Sequence, residues 1–193
     1  MFPMILCAIV GLGIIIERTI ALRRSLVITD SLVAAVQQYQ AGEDIQRLNG
    51  QAIGDGSVLG KLIQTVLANI DLPKSECAEA VQVRGRAESG RLERGLVTLE
   101  IIVGIGPLLG LLGTVSGLIR VFAEFGGKES AVEAAGIAAG ISEALNMTVA
   151  GLVIAIPALI VHAYYSKRIE RYMVEMESLC LDLLTKLYRG RTQ

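Results

Sequence analysis

The chain has 193 residues, of which 52% are hydrophobic and 19% charged, and its mean hydropathy is +0.55. This is too apolar for an ordinary soluble domain, although the charged fraction indicates that a substantial part faces water. A net charge of −1 gives no field that favours nucleic acid, and three widely spaced cysteines (Cys7, Cys77 and Cys180) match neither a disulfide framework nor a metal site.

The first predicted element is a membrane span at residues 2–22. Residues 1–16 are uncharged, and basic residues follow the apolar run, at Arg18 and at Arg23-Arg24. A signal peptide would instead begin with basic residues and end in a small-residue cleavage site. A bilayer core of ~30 Å takes roughly 20 helical residues, which this stretch supplies.

Residues 23–98 form a predicted cytoplasmic helical region. The apolar spacing favours a helix over 26–40, the glycines of 49–57 favour a connection, and a second helix is expected over Leu59–Ala68. Another helix is predicted to start near Pro73-Lys74-Ser75-Glu76, with Ser75 as its candidate cap. Because no strong stop signal follows, this helix is expected to continue into the next span.

Two further spans are predicted at 99–124 and 143–166. No charge occurs between Ile101 and Ile119 or between Ala144 and Ser166. A loop over 125–142 is expected to join them, on the outer, periplasmic side. Residues 167–193 keep an apolar spacing of three to four, which predicts a cytoplasmic helix. This helix is expected to pack against the 26–98 helices or, alternatively, to form a groove for a partner.

The basic residues set the predicted orientation. They follow spans one and three and precede span two, whereas the 125–142 loop holds only Lys128. The positive-inside rule then places the N-terminus outside and the C-terminus in the cytoplasm. No segment has a convincing strand pattern, so the predicted fold class is an all-α membrane protein whose second and third spans extend far into the cytoplasm as a helical bundle.

Small residues recur on one face of each of the two later spans. In lipid, apolar side chains do not drive helix association, but small residues permit close backbone approach. The candidate packing residues are Gly106, Gly110, Gly113 and Gly117 of span two, Gly151 of span three, and Pro107 and Pro157, which are expected to kink their helices. Thr114 and Thr148 accompany these faces, either bonded to a backbone carbonyl or lining a polar path.

The middle of the membrane holds no ionisable side chain. Arg120 and Glu124 are spaced to pair near the outer end of span two, and Glu143 opens span three, either as a favoured helix-start carboxylate or as a functional group. Hydroxyl groups do not change charge at physiological pH, so a proton path here needs an acid from another chain. His162 has no catalytic or metal-binding neighbours in sequence, and we expect neither an enzyme nor a bound cofactor or metal.

Three stretches resemble the ExbB/TolQ/MotA proton-channel family, and the ExbB/TolQ branch most. They are Gly106-Pro107-Leu108-Leu109-Gly110-Leu111-Leu112-Gly113-Thr114-Val115 with Gly117 and Phe122; Gly140-Ile141-Ser142-Glu143-Ala144-Leu145 through Thr148, Gly151-Leu152 and Ala155-Ile156-Pro157-Ala158; and Ile15-Ile16-Glu17-Arg18. The MotA branch, with four spans and a longer chain, fits less well. Arg120 departs from the resemblance, which leads us to expect a neutral residue there.

The resemblance implies a bacterial inner-membrane homopentamer around the single-span helices of an ExbD-like or TolR-like dimer. Spans two and three would line the pore, with Thr114 and Thr148 facing an aspartate of the partner and Glu143 at the pore mouth. The proton gradient would be the energy source, and movement would pass to a TonB-like or TolA-like transducer.

Three functional hypotheses remain from the sequence. The first is the ion-driven motor subunit, in TonB-type import or, alternatively, in Tol-Pal envelope maintenance. The second is a non-conducting scaffold that clamps partner helices. The third is an independent solute transporter, which would need a midplane site and internal repeats that three spans do not display.

Overall fold

Seven helices make up the part of the chain that the structure describes, residues 2–40, 45–125 and 131–191 of a computed structural model. The described residues contain no strand, so the predicted all-α class is confirmed. The helices are α1 (Phe2–Ala21), α2 (Arg24–Val27), α3 (Asp30–Gln38), α4 (Ile45–Asp55), α5 (Val58–Ala68), α6 (Lys74–Phe125) and α7 (Ala131–Arg191).

Three of these helices are long and apolar enough to cross a membrane. The qualifying stretches are Pro3–Ala21, Lys74–Ala123 and Gly136–Arg189, and the most apolar window of each has a mean hydropathy of 2.1 or 2.2. The helices α6 and α7 have 52 and 61 residues, far more than the roughly 20 that a bilayer core requires. Each therefore extends well beyond a membrane, as the unbroken apolar pattern predicted.

The chain divides into two compact units. The first, here called the membrane unit, contains residues up to Glu17 together with Gly95–Tyr164. The second, here called the bundle unit, contains Arg18–Arg94 and the chain from Tyr165 onward.

The bundle unit has a core of large apolar side chains. Helices α3, α4 and α5 and the polar ends of α6 and α7 contribute to it, with Leu59, Ile63, Leu183 and Leu184 inaccessible to solvent. Burial of this kind stabilises a helical bundle in water, because the apolar surface is removed from contact with water. The 3–4 spacing of apolar residues in the C-terminal segment therefore serves this core.

The segment predicted as a glycine-rich connection over 49–57 is mostly helix, and that prediction was wrong. Helix α4 runs to Asp55 and buries Leu48 and Ala52 in the bundle core. The actual turn is the pair Gly56-Ser57, where Gly56 has a φ of +68°. The Ser57 hydroxyl then caps α5 by accepting a hydrogen bond from the Gly60 backbone N–H at 3.1 Å.

Three other boundaries differ from the predictions. The helix predicted over 26–40 is interrupted at Ile28 and Thr29, whose extended backbone places the Ile28 side chain in the core. Helix α6 begins at Lys74, so Ser75 lies inside its first turn rather than at its cap. Helix α7 begins at Ala131, so 131–142 is helical and not a loop, in keeping with its alanine content.

Candidate functional site

Helices α6 and α7 approach each other in the membrane unit at glycine residues. A Cβ atom placed on Gly110 would lie 2.9 Å from the Met147 carbonyl oxygen and 3.0 Å from the Thr148 Cα. On Gly151 it would lie 2.6 Å from the Gly106 carbonyl oxygen. These contacts are to backbone atoms, which cannot rotate away as a side chain can, so larger residues here would push the helices apart.

The other predicted packing glycines lie along the same contact. A Cβ on Gly106 or Gly117 would meet Ala155 or Ala144, and one on Gly113 would meet the Met147 side chain. Pro107 and Pro157 lie within α6 and α7, and both helices continue through them. The small-residue faces that the sequence indicates in the two spans therefore face each other within one chain.

Thr114 and Thr148 meet at this contact. Their hydroxyl oxygens lie 2.5 Å apart, across the gap between α6 and α7. The Thr114 hydroxyl is also 3.1 Å from the carbonyl oxygen of Gly110 on its own helix and 3.1 Å from that of Ala144 on the other. The close glycine contacts permit this arrangement, because they bring the two backbones within reach of one short side chain.

The two threonines differ in exposure. Thr114 is buried, with 9% of its surface accessible, whereas Thr148 is only half-buried. Thr148 therefore has surface left for a further partner, and Thr114 has almost none. Of the two open alternatives, the contact with backbone carbonyls is present at Thr114, whose hydroxyl also meets that of the partly accessible Thr148. The polar path stays a prediction.

A cavity of about 540 Å³ lies beside this contact, within the membrane unit. Its lining includes Arg120, Ser116 and Glu143, among apolar and small residues of α1, α6 and α7. The side chains of Arg120 and Glu143 are exposed, and no ion pair joins them to each other. The predicted pairing of Arg120 with Glu124 lies outside the described side chains.

The chemistry of this site is limited to hydrogen bonding and to the two charges in the cavity. The threonine hydroxyls can donate or accept, but they do not ionise at physiological pH. No group of three or more histidine, cysteine or carboxylate side chains in the described part of the chain is arranged to hold a metal ion.

The bundle unit contains a buried charge that the sequence analysis missed. Glu88 has 2% of its side chain exposed and is surrounded by Arg91 at 2.9 Å, Arg84 at 3.0 Å and Lys61 at 3.5 Å. The spacing of Arg84 and Arg91 from Glu88 along one helix is a visible signal for ion pairing. The contribution of Lys61 from α5 depends on tertiary packing and leaves no such signal.

These features define the class of the molecule: a multi-pass helical membrane protein in which two long helices hold a pair of hydroxyls at a glycine contact. Within that class, the chain belongs to the MotA/TolQ/ExbB proton channel family, which residues 54–178 match. The match includes both threonines and the glycine contact at Gly106, Gly110 and Gly151.

Individual relatives support the ExbB branch. The chain is 36% identical over 193 aligned positions to a protein of Synechocystis sp. named as the biopolymer transport protein ExbB-like 1, covering 94% of this chain and 69% of that one. It is 27% identical to the biopolymer transport protein exbB1 of Vibrio cholerae, covering 91% and 78%. It is 30% identical to ExbB of Xanthomonas campestris, covering 77% of this chain and 54% of that one.

Proposed function

We propose that this chain is the ExbB-like housing subunit of an inner-membrane motor driven by the proton gradient. Five copies would form a ring around a partner dimer whose helices carry the acid. Proton passage would move the partner within the ring and so act on a TonB-like transducer for import across the outer membrane. The N-terminus would be periplasmic and the C-terminus cytoplasmic, and the chain itself would be neither an enzyme nor a cofactor carrier.

The observation that carries the proposal is a polar pair in a membrane contact that has no acid of its own. Thr114 and Thr148 place two hydroxyls between spans whose central stretches, 101–119 and 144–166, contain no charged residue. Such a pair can hydrogen-bond a carboxyl group in either protonation state, but it cannot take up or release a proton itself. A proton path therefore requires an acidic group from a second chain. A housing subunit is one that encloses such a chain.

Family membership and the names of the relatives support the same function. The family is described as a proton channel family, and the relatives are named as biopolymer transport proteins. The exposed apolar surface of the membrane unit also fits a ring in a bilayer, because both lipid and neighbouring subunits would cover it.

Reconstitution tests the proposal. The chain would be placed in liposomes alone, and together with a co-expressed single-span protein that has an aspartate in its span, under a pH gradient with a pH-sensitive dye inside. We expect proton flux only when both proteins are present, and loss of flux when the partner's aspartate is changed to asparagine. An intact complex without flux would instead support the scaffold hypothesis.

The stoichiometry is tested separately. Native mass spectrometry of the same complex is expected to give five copies of this chain and two of the partner. A different ratio would contradict the proposed ring. It would not change the interpretation of the proton-flux measurement.

A further inference from the structure

The hydrogen-bond capacity of the Ala144 carbonyl limits which hydrogen bonds the Thr148 hydroxyl can form. In an α-helix this carbonyl accepts the backbone N–H of Thr148, four residues later. It also lies 3.1 Å from the Thr114 hydroxyl of α6, and it accepts that hydrogen when Thr148 donates to Thr114. A carbonyl oxygen has two lone pairs, so both are occupied.

The Thr148 hydroxyl consequently does not form the hydrogen bond that threonines commonly make to their own helix. Threonine hydroxyls inside helices frequently bond to the carbonyl four residues earlier, and Thr65 does so with the Lys61 carbonyl at 2.9 Å. For Thr148 that carbonyl is Ala144, which Thr114 occupies. The one hydrogen bond of the Thr148 hydroxyl in the described structure is to Thr114.

We propose that Thr114 is a positioning residue, which keeps the Thr148 hydroxyl off its own helix and available to a hydrogen-bonding group outside the helix pair. This inference rests on the proposed function, in which that group is the carboxyl of the partner helix. Thr148 is then the residue that contacts the partner, and the buried Thr114 acts through it. The two threonines therefore have unequal roles in one site.

The hydrogens of the pair follow from this occupancy. Thr114 has a single hydroxyl hydrogen, which it donates to the Ala144 carbonyl, and Thr148 donates to the Thr114 oxygen. The Thr148 oxygen is then left to accept a hydrogen bond from a protonated carboxyl of the partner. Thr114 thus prepares Thr148 for the protonated state of the partner.

Two substitutions of Thr114 separate the effect of its hydroxyl group from the effect of its side-chain shape. Thr114→Val keeps the shape and removes the hydroxyl, whereas Thr114→Ser keeps the hydroxyl. In the complex with the partner, Thr114→Val is expected to lower proton flux about tenfold, which corresponds to one net hydrogen bond, and Thr114→Ser to retain most of it. Thr65→Val removes a helical threonine hydroxyl from the bundle unit and is expected to leave flux unchanged.

A structural readout tests the inference independently of flux. In the cryo-electron microscopy structure of the Thr114→Val complex, we expect the Thr148 hydroxyl to have rotated onto the carbonyl of Ala144 or of Leu145. In the Thr114→Ser complex it should remain where it is. If the unmodified complex conducts no protons, the proposed function fails, and this rotation still decides the positioning role.

The outcomes against the inference are equally definite. Normal flux in Thr114→Val, or an unrotated Thr148 there, would overturn it. If Thr114→Val does not assemble, Thr114→Ala relieves any steric cause. Failure of both, with Thr114→Ser intact, would show that the hydroxyl is needed for helix pairing itself, which would also overturn the positioning role.

Discussion

The two units of this chain differ in the side chains that they bury. In the bundle unit the residues with almost no exposure are mostly large, such as Leu59 and Leu183, whereas the membrane unit buries the alanines Ala144, Ala155 and Ala158 beside a few large residues such as Leu99. Large apolar residues of the membrane unit, such as Leu112, are mostly exposed. Water drives large side chains together, but lipid does not, so association in the membrane depends on how closely the backbones can approach. Helices α6 and α7 each have a part in both units. They therefore pack through large side chains in the bundle unit and through close backbone approach in the membrane unit.

The largest expected effect comes from a cavity in the bundle core. Leu183→Ala should lower the free energy of unfolding by about 3–5 kcal/mol, because it removes a fully buried side chain from a packed interior. The measurement is thermal or denaturant unfolding of the purified protein in detergent.

Leu181 provides the matched control for that change, because it is on the same helix with 48% of its surface exposed. Leu181→Ala should cost less than about 1 kcal/mol. Equal losses for the two leucines would mean that the bundle core is not the stabilising element described above.

The second effect concerns the glycine contact of the membrane unit. Gly110→Ala should separate α6 from α7 and cost about 1–3 kcal/mol, because the new Cβ meets backbone atoms of Met147 and Thr148. Cross-linking between cysteines placed on the two helices, scored in membranes, measures the separation.

Gly104 is the control, since no atom of the described residues lies within 4 Å of a Cβ placed on it. Gly104→Ala should leave the α6–α7 cross-linking unchanged. The rule of close backbone approach would be contradicted if Gly110→Ala cross-linked as efficiently as the unmodified chain.

A third effect tests the buried charge of the bundle unit. Glu88→Gln leaves Lys61, Arg84 and Arg91 without their shared carboxylate. We expect the free energy of unfolding to fall by about 1–3 kcal/mol. This loss is smaller than for a fully buried ion pair, because the three cations are partly exposed.

The exposed pair of Lys167 and Glu170 supplies the comparison, so Glu170→Gln should change the free energy of unfolding by less than about 1 kcal/mol. If Glu88→Gln is equally mild, the cluster contributes nothing beyond a surface ion pair.

The smallest effect is a pH dependence from a buried thiol of the bundle unit. Burial, together with Glu177 and Cys77, raises the pKa of Cys180 from 9.0 to about 12. Because the folded-state pKa is raised, the stabilisation is present below pH 9 and is lost as pH rises towards 12. Between pH 8 and 10 the free energy of unfolding should fall by about 1 kcal/mol on this account.

Cys180→Val isolates that contribution, since only the slope of stability against pH is compared. We expect a shallower alkaline slope in the variant than in the unmodified chain. Identical slopes would show that the Cys180 thiol does not couple to folding.

The sequence predicts the long helices well and the local breaks poorly. Long apolar periodicity identified α6 and α7, because it persists over many turns whatever the tertiary context. Asn49, Gly50 and Gly54 favoured a turn where α4 forms, because burial of Leu48 and Ala52 outweighs their weak helix propensity.

The candidate site was predictable in its residues but not in its geometry. The spacing of small residues placed Thr114 and Thr148 near the packing faces of their spans. The spacing could not tell which threonine is buried or that the Thr114 hydroxyl reaches the Ala144 carbonyl. Those facts depend on the register between two helices, which brings together residues 30 and 34 positions apart in sequence.

The most direct test of the central claim is proton flux through the complex of a Thr148→Val chain with its partner. The account predicts that the complex assembles with normal stoichiometry and that flux is abolished, because the accessible hydroxyl of the site is gone. Full flux in an assembled Thr148→Val complex would contradict the role of the threonine pair in the proton path.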